Sequence, residues 1–174
     1  MKYIIAKALL IFSLISLMPL NAVAETASKA MALDFQLDDL TELPNRPEEL
    51  ARIALLSSTF KQRLVDNGIT LVPVNDAIKA EQTSQSATYL FTRTDVATKL
   101  AAESGADYVI LCIAMKPTFL FVYPRLLLVD VKTGRIAFTA YAQLESSWSD
   151  SGTTILTGKT LADKVTVELK KLSK

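Results

Sequence analysis

The sequence predicts an α/β (α+β) fold: a single domain whose mixed sheet of about five strands, in the order βαβααβββα, carries helices packed on it and ends in a C-terminal helix. Three observations lead there. Apolar residues recur at every second position in some segments and at every third or fourth in others. The stretch YVILCIAMKPTFLFVYPRLLLVDV, residues 108–131, is interrupted at Lys116-Pro117 and again at Pro124-Arg125, so no piece of it approaches the ~20 residues of a spanning helix. Turn formers stand where the period changes, at Asn67-Gly68, Gly105 and Lys132-Thr133-Gly134.

The first 24 residues stand apart from this pattern. Lys2 and Lys7 precede an apolar run from Ala8 to Met18, followed by Pro19 and the small-residue ending Ala22-Val23-Ala24. This is the layout of a secretory signal peptide, with cleavage expected between Ala24 and Glu25 and a periplasmic or secreted product. Residues 25–174 then form the single domain. No Cys follows the apolar run, so lipid attachment there is not expected.

Met31, Leu33, Phe35 and Leu37 alternate with Ala32, Asp34, Gln36 and Asp38, which predicts a first strand with one apolar face. TELPNRP then offers Asn45 as a helix cap, with Glu48 and Glu49 in a first turn where negative charge suits the helix dipole. Leu50, Ile53, Ser57, Phe60 and Leu64 make one buried stripe, ended by Asn67-Gly68. ITLVPV, residues 69–74, is a short strand whose Pro73 places it near an end or an edge. Asn75 caps a short helix through Glu81, and the polar QTSQSA, residues 82–87, reads as a mobile loop. TDVATKLAAESG, from Thr94, is a helix stopped by Gly105.

Strands follow at Tyr108 to Met115 and Thr118 to Val131, with a bulge, bend or edge at Pro124-Arg125. Gly134 supplies the positive φ of a hairpin into IAFTAYAQL, whose partial alternation predicts a more exposed strand. A last helix from about Thr153 places Leu161, Val165, Leu169 and Leu172 on one side.

Composition narrows the chemistry. The chain has no His, which removes the usual general base and the Ser-His and Cys-His nucleophile pairs. Without Lys2 and Lys7, 17 basic residues face 18 acidic ones with no long block of either sign, so neither nucleic acid nor anionic lipid is an expected partner, and no stable membrane insertion is expected after cleavage. The one thiol, Cys112, lies among Val109, Ile110, Leu111 and Ile113 and reads as core.

Three motifs invite a functional reading. Ser58-Thr59-Phe60-Lys61 with Lys132-Thr133-Gly134 matches S-x-x-K plus K-T-G of penicillin-recognising serine enzymes and makes Ser58-Lys61 the alternative, a small serine hydrolase or acyltransferase. Against it, Ser58 stands about 200° around the helix from Phe60, and the third element of the set is reduced to Ser149-Asp150-Ser151 in the wrong place. Thr157-Gly158-Lys159-Thr160 copies the tail of a phosphate loop, but Thr153 occupies the position of the required first Gly. Asp34, Asp38 and Asp39 could offer oxygen ligands to a hard cation, yet Asp34 and Asp38 lie about 13 Å apart on a straight strand, so solvated carboxylates are expected. Trp148, alone in the polar ESSWSDSG, is either a lid over the core edge or a possible partner contact.

The set ALDFQLDD, RLVDNG, ITLVPV, KLAAESGAD running into YVILCIAM, and LLLVDVKTGRIAF, behind a signal peptide, resembles an uncharacterised secreted bacterial family, a domain of unknown function. Its fold is similar to the TolB N-terminal domain and the CsgG-type periplasmic α/β domain. The resemblance covers residues 29–172, and its motifs, G-A-D before an apolar strand and V-D-x-x-T-G-R at the hairpin, specify a fold more than an activity. It supplies no catalytic residues and implies an accessory role beside periplasmic quinoprotein dehydrogenases. Some members carry a Cys pair before the helix that here is KLAAESGAD; QSATYLFTRTD has none, which removes support for a redox or thiol-metal role. The expectation is a non-enzymatic periplasmic accessory protein with a protein partner, no catalytic residues and no cofactor or metal.

Overall fold

A computed structural model describes residues 28–41, 46–144 and 150–173. The signal peptide, Asn45 and Trp148 lie outside the described residues.

Among the described residues the elements are β1 (Lys29–Ala32), β2 (Gln36–Asp39), α1 (Pro47–Asp66), β3 (Thr70–Leu71), α2 (Asp76–Ser84), α3 (Tyr89–Thr92), α4 (Thr94–Ala102), β4 (Tyr108–Lys116), β5 (Tyr123–Asp130), β6 (Ile136–Tyr141) and α5 (Ser151–Leu172). The sheet runs β3-β1-β4-β5-β6, with β2 also on β4. β1, β2 and β3 are parallel to their partners, whereas β4-β5 and β5-β6 are antiparallel, so the sheet is mixed as the sequence predicts. Tyr108 to Val131 is thus two paired strands and a loop, and no described helix is long and apolar enough to cross a membrane.

Two apolar layers cover the sheet. Ile110, Cys112 and Ala114 of β4 meet Leu56, Phe60 and Leu64 of α1 and Leu161, Val165 and Leu169 of α5 on one face. Val109 and Leu111 meet Ile78, Leu90, Ala97 and Ala101 of α2, α3 and α4 on the other. A central strand sealed on both sides must be apolar at every position, which is why β4 lacks alternation.

The predicted first strand is one strand interrupted. Ala32 pairs with Ile110 but Gln36 pairs with Ile113, so four steps along β1-β2 match three along β4. That extra residue is a bulge, and a one-residue slip turns every later side chain to the opposite face. Met31 and Leu33 accordingly belong to the α4 layer, while Phe35 and Leu37 join the α1 layer. The single apolar face expected for Met31 through Leu37 is corrected on this point.

Other departures have local causes. Arg46 occupies the cap position of α1, and Pro47 fits the first turn, where an N–H would go unused. Leu50 is exposed, and Glu49 and Arg52 take the buried places at that end of the stripe. ITLVPV forms strand only at Thr70 and Leu71, with Val72 N–H donating to Ala30 O at 2.9 Å, and the chain leaves the ladder at Pro73. Gln82 to Ser84 continue α2 instead of forming a loop. Pro124 pairs regularly with Ala114; the irregularity lies at Leu128/Val129 against β6. Residues 118–122 precede β5 rather than belonging to it. Leu172 is exposed at the end of α5.

Candidate functional site

The bulge and the short β3 together create a groove. Because β3 ends at Leu71, the outer edge of β2 meets no strand among the described residues. A cavity of about 580 Å³ runs there, lined by Phe35 and Leu37, by Leu50, Ala54, Ser58 and Lys61 of α1, and by Ala87 before α3. That volume suits a small ligand or a few residues of peptide.

Each side-chain hydroxyl, amine and carboxamide that lines this groove has a partner. Lys61 Nζ lies 2.7 Å from Asp34 Oδ1. Ser58 Oγ donates to Leu55 O at 3.0 Å, the ordinary back-bond of a helical serine. Ser57 Oγ donates to Ile53 O at 3.0 Å and accepts from the Phe35 N–H at 2.9 Å. Gln36 Nε2 donates to Gln82 O at 2.9 Å, tying β2 to α2.

Beside the groove, at the C-terminal ends of β2 and β4, lies a buried charge cluster. Lys116 Nζ is 2.7 Å from Glu49 Oε1 and 3.0 Å from Asp39 Oδ2, and all three side chains are at most 2% exposed. Thr41 donates to Asp39 Oδ1 through its N–H at 3.0 Å and its hydroxyl at 2.7 Å. Burial alone would raise the Asp39 pKa, but the two Thr41 bonds and Lys116 outweigh it and hold the carboxyl at about 2. Burial likewise opposes the Lys116 charge, and its bonds to Glu49 and Asp39 raise it above the ordinary lysine range. Lys116 Nζ also stands 5.2 Å from the Phe119 ring centroid, so the cluster props the loop in which Phe119 and Leu120 are exposed. Next to it, Arg52 Nε donates to Thr154 Oγ1 at 2.8 Å, linking α1 to the start of α5.

A model of a family described as a protein of unknown function (DUF2380) matches residues 28–157, which run from the residue before β1 into α5. The chain belongs to the DUF3280 family. Comparison with curated proteins finds none that matches. Among solved structures, this DUF3280 chain is similar to the hypothetical protein CT253 from Chlamydia trachomatis, at 14% identity and a TM-score of 0.51 over 83% of this chain and 99% of that one. It also matches the LpoB C-terminal domain from Salmonella enterica, at 22% identity and a TM-score of 0.49 over 69% of this chain and 84% of that one. Lipoprotein GNA1162 from Neisseria meningitidis matches at 16% identity and a TM-score of 0.49, over 79% and 96% of the two chains. The CT253 likeness is one of fold.

Within this DUF3280 fold the sequence-predicted sites fall apart in informative ways. Ser58 and Lys61 do line one groove, contrary to the expectation that Ser58 faces no cleft, but Lys61 reaches Asp34 and Ser58 bonds its own helix. Lys132-Thr133-Gly134 forms the β5-β6 turn, where Asp130 Oδ1 accepts from the Thr133 N–H at 2.7 Å and Gly134 has φ +68°. Lys132 borders a separate cleft with Asp107 and Asp130, so the two halves of the serine-enzyme signature share no groove. Thr157-Gly158-Lys159-Thr160 lies inside α5, where a Cβ on Gly158 would stand 3.2 Å from Leu56 O and from the Thr59 side chain. That glycine permits a close helix crossing, the role of small residues at tight contacts.

The acidic trio is divided. Asp34 is committed to Lys61 and Asp39 to Lys116 and Thr41, which corrects the expectation of a solvated Asp39. Among the described residues no three acidic or thiol side chains converge on one point. Cys112 is buried as expected, and burial pushes its thiol far above the ordinary range. Sequence reading missed the Lys116 cluster and the exposed β2 edge. A lysine inside the run VILCIAMK was the available signal for the first, since a charge at a buried strand end needs a partner.

Proposed function

We propose that this chain is a non-enzymatic accessory protein of the bacterial envelope that works by binding another protein, exported by its signal peptide and released between Ala24 and Glu25. The observation that carries this reading is the state of the groove. Asp34, Gln36, Ser57, Ser58 and Lys61 are each bonded to neighbours in the fold, which leaves apolar walls and a strand edge. Such a surface holds a partner; it does not offer a nucleophile with a base. The likeness to TolB N-terminal and CsgG-type domains, a place beside a quinoprotein dehydrogenase, and contact through Trp148 belong to the same proposal.

The test has two arms. A photocrosslinking amino acid at exposed Ala54, in intact cells, should join the chain to one recurrent protein band. The wild-type chain should stay unlabelled by a fluorescent penicillin or a fluorophosphonate. Labelling that disappears in Ser58→Ala would establish the hydrolase alternative and remove this one; the absence of any crosslinked band would remove the interaction reading alone. N-terminal sequencing of the exported chain should begin at Glu25.

A further inference from the structure

We propose that the groove beside β2 receives an extended segment of the partner protein as an added strand of the sheet. This rests on the interaction reading above and specifies its chemistry.

The main chain of β2 sets the terms. Leu40 N–H donates to Lys116 O at 3.0 Å, and in a parallel ladder alternate residues turn to the same neighbour. Residues 36, 38 and 40 therefore face β4, and Leu37 turns its N–H and C=O outward into the groove. The Phe35 N–H points to the same side, where Ser57 Oγ accepts it at 2.9 Å. Strand β3 would have continued into this place. Its last ladder bond is Val72 N–H to Ala30 O at 2.9 Å, and Pro73 then turns the chain away. An outward-facing donor and acceptor on a strand edge, set between helix α1 and the α2-α3 junction, is the arrangement that captures an extended backbone.

The walls define the side chains that fit. β2 is four residues long, about 13 Å, which accommodates a comparable length of added strand. Leu50 and Ala54 form the α1 wall and Ala87 the opposite one, so the inserted segment alternates apolar residues toward α1 with small or polar ones. Asp34 and Lys61 neutralise each other at one end, so the groove selects an uncharged centre. A helix would present no free backbone to Leu37, and a small molecule would span only part of the roughly 13 Å edge.

The probe is a phage-displayed library of random heptapeptides panned on the full chain. Enriched sequences should alternate apolar and polar residues with period two and carry no charge in their central positions. A chosen winner, made as a blocked synthetic peptide, should bind Leu37→Pro about tenfold or more weakly, since one lost main-chain hydrogen bond to a desolvated partner is of that size. Tyr141→Ala, exposed on β6 at the far edge of the sheet, should bind within about threefold of wild type. Circular dichroism verifies that Leu37→Pro is folded, as expected for a proline whose N–H faces away from the ladder; should it not be, Ala54→Arg, on the exposed wall, must abolish binding in its place. No enrichment, enrichment with helical spacing, or unchanged binding by Leu37→Pro (or by Ala54→Arg where it stands in) overturns strand addition. A crosslinked band at Ala54 alongside any of these results would keep the interaction reading and remove only this mode, whereas loss of the band removes both.

Discussion

Removing the Lys116 ammonium would leave the buried carboxylates of Asp39 and Glu49 without the cation they share. Lys116→Met should therefore cost about 3–5 kcal/mol, read as a lower urea midpoint, because no solvent replaces the lost cation beside buried negative charge. Asp39 also gives the fold a pH dependence. Its carboxyl is held at about 2 against an ordinary 3.8, so its contribution is complete above about pH 4 and disappears as pH falls toward 2. Urea unfolding at neutral pH and near pH 2 should show wild type losing on the order of 2 kcal/mol more than Asp39→Asn over that interval. Lys116 acts on the alkaline side: its raised pKa makes its contribution complete below the ordinary lysine range and lost above it. Little of this was legible beforehand, since Lys116 finds Asp39 and Glu49 across 77 and 67 residues.

Helices α1 and α5 meet closely enough that one side chain decides their spacing. Gly158→Leu should destabilise by about 1–3 kcal/mol, because the added atoms run into the Leu56 backbone and Thr59 rather than into solvent. Asn75→Ala should cost about 1 kcal/mol or more in thermal or urea unfolding. It removes both the cap on α2, Asn75 Oδ1 accepting from the Ile78 N–H at 2.9 Å, and the bonds from Nδ2 to Leu100 O at 2.7 Å and Ser104 Oγ at 2.9 Å. The cap itself was readable from Asn75 before a periodic segment, as were the Gly68 and Gly134 turns, with φ of +84° and +68°. The span of β3 was not: apolar β-branched residues surround Pro73, and propensity cannot show that the ladder stops two residues before it.

Across the whole molecule the two apolar layers leave β4 no access to solvent except at its ends, and Cys112 reports on that seal. A thiol reagent such as a maleimide should modify Cys112 only as fast as the protein opens globally, and at once in denaturant. Rapid labelling of the native chain would contradict the packing described for the α1-α5 face.

Local pattern alone determined the longer helices, the β5-β6 hairpin, the burial of Cys112 and the reading of residues 108–131 as interrupted strands, because periodicity and turn chemistry act over a few neighbouring residues. Only the tertiary structure decided which face Phe35 and Leu37 occupy, which carboxylates Lys116 meets, and that the outer edge of β2 lines a groove. Those outcomes depend on the register between strands about 77 residues apart, and one extra residue in that register reverses a face without altering the local pattern.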